Sequence, residues 1–329
     1  LIIGFNTAVN GVGCPRLMAE NVNFDCVNGF NIGYTGDPIR FNNCHGWPFA
    51  TVSYSPFSEA INRRSGTAYN FYTNADAGKV QNSFAFGYAT GFCVSSCNGI
   101  QFSNCGVDDF PTGSTSMGFL FQGDSDHAGM FNCQSVAHQT GVAVNVTSGM
   151  TVQVSNCVIG ANTMNNISIL AGGVNLNGGI MYSAQRVAML SNAAARLHMS
   201  GVYVQAQTNE IVNNSLNSPY VQIDSDNYFQ DAGVPVYVGG GGYPSVASAA
   251  TVNLPKSSEL VQVTGTTGIS GLSGGWPGRR VTLLFSGALT LSDAAGMQMA
   301  GNFTTAANST ITFVFTSATQ CYEVARSKN

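Results

Sequence analysis

An Asn-Cys pair that follows a strand-like segment recurs through the first half of the chain and constrains the fold more than any other feature. The spacing is 28 residues from Cys105 to Cys133 and 24 residues from Cys133 to Cys157. A recurrence of this length predicts a stacked repeat. A looser copy, Asn23-Phe-Asp-Cys26, precedes the close ones. The close copies are Phe41-Asn-Asn-Cys44, Phe102-Ser-Asn-Cys105, Phe131-Asn-Cys133 and Val154-Ser-Asn-Cys157.

Short apolar runs separate the Asn-Cys pairs and have the composition of β-strands. They are rich in β-branched and aromatic residues, and Gly, Asn, Ser or Thr flank them. Strands that recur about once in 24 residues are typical of a parallel β-helix. Because equivalent positions of such coils stack about 4.8 Å apart, we expect the cysteines to form an interior column and the asparagines to turn the corners. The runs include Phe119–Phe121, Val142–Val146, Val152–Val154 and Ile167–Ile169.

The composition excludes several classes of protein. Of the 329 residues, 44% are apolar and only 9% are charged, and the net charge is −4. The chain therefore lacks the basic surface that nucleic-acid binding needs. No apolar run reaches the roughly 20 residues that would span a bilayer. The nine cysteines show no paired metal-ligand spacing, so we expect free buried thiols, folding in a reducing cytoplasm, and no metal or other cofactor.

Changes of pattern divide the chain into three parts. We predict a parallel β-helix over residues 1–235, a Gly-rich linker over 236–256, and a small β-sandwich over 257–329. Residues 55–79 interrupt the coil pattern, and an interruption of this length in a solenoid often forms a binding surface. The chain opens within an apolar run, Leu1–Phe5, so we expect it to be a fragment whose N-terminal region is missing.

The C-terminal residues resemble the small β-sandwich that closes many bacteriophage tailspikes and tail fibres. The phrases that carry the resemblance are Gly275–Leu284, Met299–Phe303 and the closing Tyr322–Ser327. The coils before them resemble the right-handed, pectate-lyase-like β-helix of the same proteins, but only as a pattern. The resemblance supplies no catalytic motif, because tailspike active sites differ widely.

The resemblance implies a homotrimeric spike in the virion tail, made in the host cytoplasm. Such a spike binds, and usually depolymerises, a polysaccharide of the host surface, and a missing N-terminal region would attach it to the phage baseplate or tail. A homotrimer also suits residues 127–209, which hold no acidic residue and only two strong bases. Sister chains would cover this face; an amide-rich surface exposed to water is the alternative.

Asp124 and Asp126 are the first catalytic candidates. On a strand, residues two apart project to the same face about 6.5–7 Å apart, which suits the two carboxylates of an inverting glycosidase. We expect Asp108 and Asp109 to stack one coil earlier, and His127 adjoins the pair. The alternative is a solvated turn, since Asp is a common turn residue. Asp224 and Asp226 share the same spacing and are a second, weaker candidate.

A lyase would need a base and a cation instead of two carboxylates. Arg63 and Arg64 could hold an anionic sugar, and His45 or His127 could act as the base. Several aromatic residues could stack on sugar rings, although core packing is as good an explanation. These are Trp47, Tyr54, Tyr69 and Tyr72.

Two functions remain after these steps. The first is a depolymerase that acts on capsule or O-antigen, by hydrolysis in preference to β-elimination. The second is a receptor-binding fibre of the same architecture that has no cleavage activity. The acid clusters favour the first, and the absence of a recognisable catalytic motif keeps the second.

Overall fold

The chain is an all-β protein, described here from a computed structural model. The structure describes residues 1–50, 63–108, 115–147, 149–182, 184–192, 194–205, 209–213, 221–224, 227–229, 245–254 and 259–329. Two compact units, residues 1–240 and 241–329, make up the chain. The first unit is a parallel β-solenoid, in agreement with the predicted β-helix.

Three parallel sheets run along the solenoid, and a typical coil contributes one strand to each sheet. Sheet 1 contains β2 (Thr7–Val12), β5 (Asn28–Gly33), β8 (Arg64–Tyr72), β11 (Tyr88–Ser95), β14 (Met117–Gly123), β17 (Thr140–Val146), β19 (Asn165–Ala171), β21 (Arg186–Leu190) and β24 (Asn209–Asn213). Sheet 2 contains β3 (Met18–Glu20), β6 (Arg40–Asn42), β9 (Lys79–Gln81), β12 (Gln101–Ser103), β15 (Gly129–Phe131), β22 (Arg196–Ser200) and β25 (Val221–Ile223). Sheet 3 contains β1 (Ile2–Ile3), β4 (Asn23–Asp25), β7 (His45–Gly46), β10 (Phe84–Phe86), β13 (Gly106–Asp108), β16 (Gln134–Val136), β23 (Tyr203–Gln205) and β26 (Tyr228–Phe229). Two long strands, β18 (Thr151–Gly160) and β20 (Gly173–Tyr182), run through sheets 2 and 3 in turn.

The Asn-Cys pairs form the corner between sheets 2 and 3, as the sequence predicts. Asn43, Asn104, Asn132 and Asn156 all adopt a left-handed conformation with φ between 52° and 53°. The cysteine after each of them is at most 2% exposed, and all nine cysteines of the chain are free. The looser copy at Cys26 does not belong to this corner. Asn21, at φ 57°, turns the chain in that coil.

Aromatic rings fill the first coils of the solenoid. Phe30, Tyr69, Phe92 and Phe119 occupy one inward position of sheet 1 in successive coils. Their rings stack with interplanar angles of 7°, 6° and 10°. Smaller aliphatic residues, such as Val142 and Ile167, continue the same position in later coils. This column is buried and joins the main core.

The second unit has its own buried core and a mixed six-stranded sheet. Strands β27, β29 and β31 of this sheet are parallel, and β31, β35 and β36 are antiparallel. Strands β27 and β28 lie within the segment that the sequence predicts as a linker. The strands are β27 (Ser245–Ala247), β28 (Thr251–Asn253), β29 (Leu260–Thr264), β30 (Gly271–Ser273), β31 (Arg280–Phe285), β32 (Thr290–Leu291), β33 (Met297–Gln298), β34 (Phe303–Thr304), β35 (Thr310–Phe315) and β36 (Cys321–Ser327).

Candidate functional site

The outward side of sheet 2, which we call the polar face, carries two columns of residues that are mostly polar. Along β3, β6, β9, β12 and β22 of this sheet the more buried and the more accessible residues alternate, so alternate side chains point outward. The first column is Met18, Arg40, Lys79, Gln101, Gly129, Gln153, Asn175, His198 and Gln222. The second column is Glu20, Asn42, Gln81, Ser103, Phe131, Ser155, Asn177 and Ser200, and Asp224 directly follows β25 at its end. With layers about 4.8 Å apart, the face extends about 38 Å.

Hydrogen bonds between layers hold parts of the polar face in place. Asn42 Nδ2 donates to Glu20 Oε1 at 3.3 Å, and Lys79 Nζ donates to Gln101 Oε1 at 2.5 Å. The neighbouring corner amide, Asn82 Nδ2, donates to Asn42 Oδ1 at 3.0 Å. Side chains fixed in this way lose less conformational entropy when a ligand binds.

A groove of about 540 Å³ opens at the N-terminal end of the polar face. Its charged groups are Glu20, Arg40 and Lys79. Partial burial lowers the pKa of the Lys79 ammonium from its ordinary value. The groove therefore combines two cations and one carboxylate with the amides of Asn42 and Gln81.

A histidine and a carboxylate pair at the other end of the polar face. His198 Nε2 lies 2.9 Å from Asp224 Oδ2, and Gln222 Nε2 donates to Asp224 Oδ1 at 2.9 Å. The His198 and Asp224 side chains are 41% and 36% exposed, so a ligand can reach both. Hydrogen bonds from Gln222 and His198 hold the pKa of the Asp224 carboxyl below its ordinary value. Asp226, predicted beside it, lies outside the described residues.

The first catalytic candidates lie in the turn between β14 and β15, not on a strand. Thr147 Oγ1 donates to Asp124 Oδ1, and the backbone amide of His127 donates to Asp126 Oδ1 at 2.9 Å. The His127 side chain is 82% exposed, and its Nδ1 lies 3.2 Å from Asp126 Oδ2. The spacing argument for two residues on one strand therefore does not apply to Asp124 and Asp126. A catalytic role for these three residues stays a prediction.

Asp126 belongs instead to a column of turn residues between sheets 1 and 2. Asp37, Asp76, Asn98 and Asp126 each precede the first outward residue of a sheet 2 strand by three positions. Asp76 Oδ1 accepts a hydrogen bond from the Asn98 amide at 2.8 Å, and Asn98 Oδ1 accepts one from the Asp126 amide at 3.2 Å. These side chains satisfy backbone groups of the next coil. The sequence predictions do not include this column, although an Asp or Asn three residues before β6, β9, β12 and β15 marks it.

Asp108 does not come close to the Asp124 turn. It ends β13 in sheet 3 and is half-buried, whereas Asp124 follows the far end of β14 in sheet 1. Seven residues of β14 separate the two positions, and at about 3.3 Å per residue this is roughly 23 Å. The expected stacking of Asp108 near Asp124 is therefore wrong. Asp109 lies outside the described residues.

Two of the predicted sugar-binding residues are buried. Arg64 is 7% exposed and pairs with the Asp25 carboxylate, which is 5% exposed. The Arg64 guanidinium also lies 5.6 Å from the centroid of the Tyr88 ring. Tyr69 is fully buried within the ring stack, and its hydroxyl donates to the Cys44 carbonyl at 2.6 Å. Both side chains therefore stabilise the solenoid and do not reach its surface.

The remaining predicted sugar-binding residues do not form one group. Trp47 packs against Phe86, with ring centroids 4.3 Å apart, beside His45. Tyr72 lies at the other end of β8 from Arg64 and makes an edge contact with Tyr34. Arg63, which immediately precedes β8, is half-buried. Tyr54 lies outside the described residues.

Comparisons of the chain with protein-family models, with curated proteins and with solved structures find no significant match. Within the described ranges, no group of three or more His, Cys, Asp or Glu side chains could hold a metal ion. The same part of the chain contains no helix long and apolar enough to cross a membrane.

Proposed function

We propose that this chain is the polysaccharide-binding solenoid of a bacteriophage tailspike, and that the polar face is its sugar site. The observation that carries the proposal is the pair of outward columns, in which amide and hydroxyl side chains predominate. An amide offers donors and acceptors on one group, which suits the hydroxyls and ring oxygens of a sugar. A face about 38 Å long gives an extended polymer many equivalent positions.

The resemblance of the C-terminal phrases supports the remaining parts of this proposal. They are a right-handed coil, a C-terminal sandwich, a homotrimer, and a place in the virion tail with attachment through an N-terminal region. Two observations of the structure agree with this arrangement: the parallel solenoid and the separate C-terminal unit.

A binding experiment tests the proposal directly. The labelled protein should bind bacterial strains that carry the recognised surface polysaccharide, and it should not bind mutants that lack the polymer. The double variant Gln153→Ala/Asn175→Ala should weaken binding to the purified polymer about thirtyfold, since each of the two lost hydrogen bonds contributes about 1 kcal/mol. Gln134→Ala, an exposed position of sheet 3, is the matched control. Equal binding by the wild type, the double variant and the control would show that the polar face is not the sugar site.

Depolymerisation of the same polymer is the second candidate function. Hydrolysis by Asp124, Asp126, Asp108 and Asp109 loses support, because the described carboxylates lie in turns or far apart. The observation that still favours cleavage is the His198–Asp224 pair on the polar face. A receptor-binding spike without cleavage would bind the polymer and leave its chain length unchanged.

A further inference from the structure

Three alternate side chains of β22 point outward together at the C-terminal end of the polar face. Arg196, His198 and Ser200 alternate with the buried Leu197 and Met199. Neighbours two apart on a strand are about 6.5–7 Å apart. The flanking layers add Asn175 and Asn177 on one side and Gln222 and Asp224 on the other. Arg196 and Asp224 are thus the charged groups of these three layers that flank His198.

The Asp224 carboxylate fixes the tautomer of His198. It can only accept a hydrogen bond, so the proton lies on His198 Nε2, which is 2.9 Å away. The lone pair of the ring is then on Nδ1, for which the described part of the chain provides no hydrogen-bond partner. A carboxylate that orients an imidazole in this way is a common device of general-base catalysis.

The carboxylate itself is held firmly. Its Oδ1 accepts from Gln222 at 2.9 Å. The Asp224 amide donates to the Met199 carbonyl at 2.9 Å, and Asn227 Nδ2 donates to the Asp224 carbonyl at 2.7 Å. These bonds tie Asp224 to β22, to β25 and to the turn at Asn227, so the base is preorganised.

The other three histidines lack this combination. His138 is 1% exposed. His45 packs among aromatic rings, and its buried Nε2 has no hydrogen-bond partner among the residues that the structure describes. His127 is 82% exposed, and its carboxylate partner is the adjacent residue of the same turn. Of the four histidines, only His198 combines an accessible ring with a carboxylate that orients it and a position on the polar face.

We propose that His198, oriented by Asp224, is the catalytic base of a β-elimination site for a 4-linked uronate polysaccharide. This inference rests on the proposed sugar-binding role of the polar face. Elimination needs a base and a cation, and Arg196 provides a cation for the uronate carboxylate on the same side of the strand. A neutral imidazole is a suitable proton acceptor near neutral pH.

The step balances without a further reactant. His198 Nδ1 takes the C5 proton of the uronate, and the electron pair of that C–H bond forms the C4=C5 double bond. The C4–O glycosidic bond breaks, and the leaving oxygen takes a proton from water. The hydroxide that results is neutralised by the proton on His198. The products are an unsaturated uronate end and a new reducing end.

Three named polymers test the inference: polygalacturonate, alginate and heparosan. The wild-type protein should release fragments with the ultraviolet absorbance of the C4=C5 double bond from at least one of them. His198→Gln should lower kcat at least a hundredfold, because a general base typically contributes a factor of this size. KM should change little. Asp224→Asn, which removes a positioning charge, should lower kcat about tenfold at unchanged KM. Arg196→Gln should raise KM.

The control is Gln134→Ala, which should keep the wild-type rate, and circular dichroism of each variant would verify its fold. A folded His198→Gln protein with the wild-type rate would overturn the inference. So would saturated fragments, or no fragments from any of the three polymers. If the protein still binds the surface polysaccharide of its host strain, only the elimination site fails. Loss of that binding as well would remove the proposed function.

Discussion

At the scale of single residues, the corner asparagines combine two effects that can be separated. Asn43 adopts φ 52°, and its Nδ2 donates to Asn21 Oδ1 at 2.7 Å. Asn43→Gly keeps access to the left-handed conformation and loses only the hydrogen bond, so it should cost about 1 kcal/mol or less. Asn43→Ala loses the hydrogen bond and also strains the left-handed backbone, so it should lower the free energy of unfolding by about 1–2 kcal/mol more than Asn43→Gly does. Urea unfolding would measure the difference, and equal costs would show that backbone conformation contributes nothing.

The buried His138 makes the stability of the solenoid depend on pH. Burial lowers the pKa of His138 from 6.5 to about 4, and its Nδ1 donates to the Val136 carbonyl at 2.8 Å. The unfolded chain therefore binds this proton more tightly than the folded chain. The stabilisation is complete above pH 6.5 and is lost as the pH falls toward 4. A shift of this size corresponds to about 3 kcal/mol.

His138→Gln cannot titrate and therefore tests this pH dependence. The loss of unfolding free energy between pH 7 and pH 4 should be about 3 kcal/mol smaller in the variant than in the wild type. Urea titrations at both pH values measure it. An identical loss in the two proteins would mean that folding does not change the pKa of His138.

Residue patterns in the sequence predict the corner but not the chemistry. The Asn-Cys pairs identify it because a left-handed corner and a small buried side chain leave few residue types to choose from. Asp124 and Asp126 show the limit, because Asp is equally suited to a catalytic strand and to a turn. The bonds from Thr147 and to Asn98, which mark the turn, connect different coils. The sequence around Asp124 does not contain that information.

At the scale of elements, the stack of aromatic rings stabilises the first coils. Phe92 lies between Tyr69 and Phe119, with ring centroids 4.5 Å and 4.9 Å away. Phe92→Ala would leave a cavity between two rings and should cost about 3–5 kcal/mol. Phe92→Leu fills much of that volume and should cost less. Thermal unfolding of the two variants compares them, and equal midpoints would contradict a role for the stack.

A substitution of Tyr69 distinguishes a role in the core from the sugar-binding role that the sequence suggests. Tyr69→Phe removes only the hydroxyl that donates to the Cys44 carbonyl, so it should destabilise the protein by about 1 kcal/mol. Binding to the host polysaccharide should be unchanged, because the ring is buried. A protein of normal stability with weakened polysaccharide binding would reverse this assignment.

Short strands are predictable from the sequence, but the register between them is not. The sequence predicts a strand over Val142–Val146, because its β-branched residues fit a pleated surface, and these residues lie in β17. The polar face could not be predicted, since β6, β9 and β12 have three residues each. A one-residue slip would exchange their inward and outward residues. For the same reason, the pairing of His198 with Asp224, which lie 26 residues apart, emerges only when the coils are in register.

At the scale of the whole molecule, an exposed apolar column of sheet 3 bears on assembly. Val158, Ile180, Tyr203 and Tyr228 occupy one outward position in successive layers. Ile180 is 44% exposed and Tyr228 is 60% exposed. The rings of Tyr203 and Tyr228 stack at 5.4 Å. A contiguous apolar surface of this kind is typical of an interface, so we expect sister chains to cover it.

Light scattering of the purified protein should therefore give three times the 34.4 kDa mass of one chain. The double variant Ile180→Lys/Tyr203→Lys should shift the protein toward monomer, because each buried lysine would lack a partner for its charge. Asn175→Lys, on the polar face, carries the same kind of substitution and should leave the trimer intact. A wild-type monomer would exclude the trimeric spike. A trimer that survives the double variant would place the interface on another sheet and leave this column exposed to water.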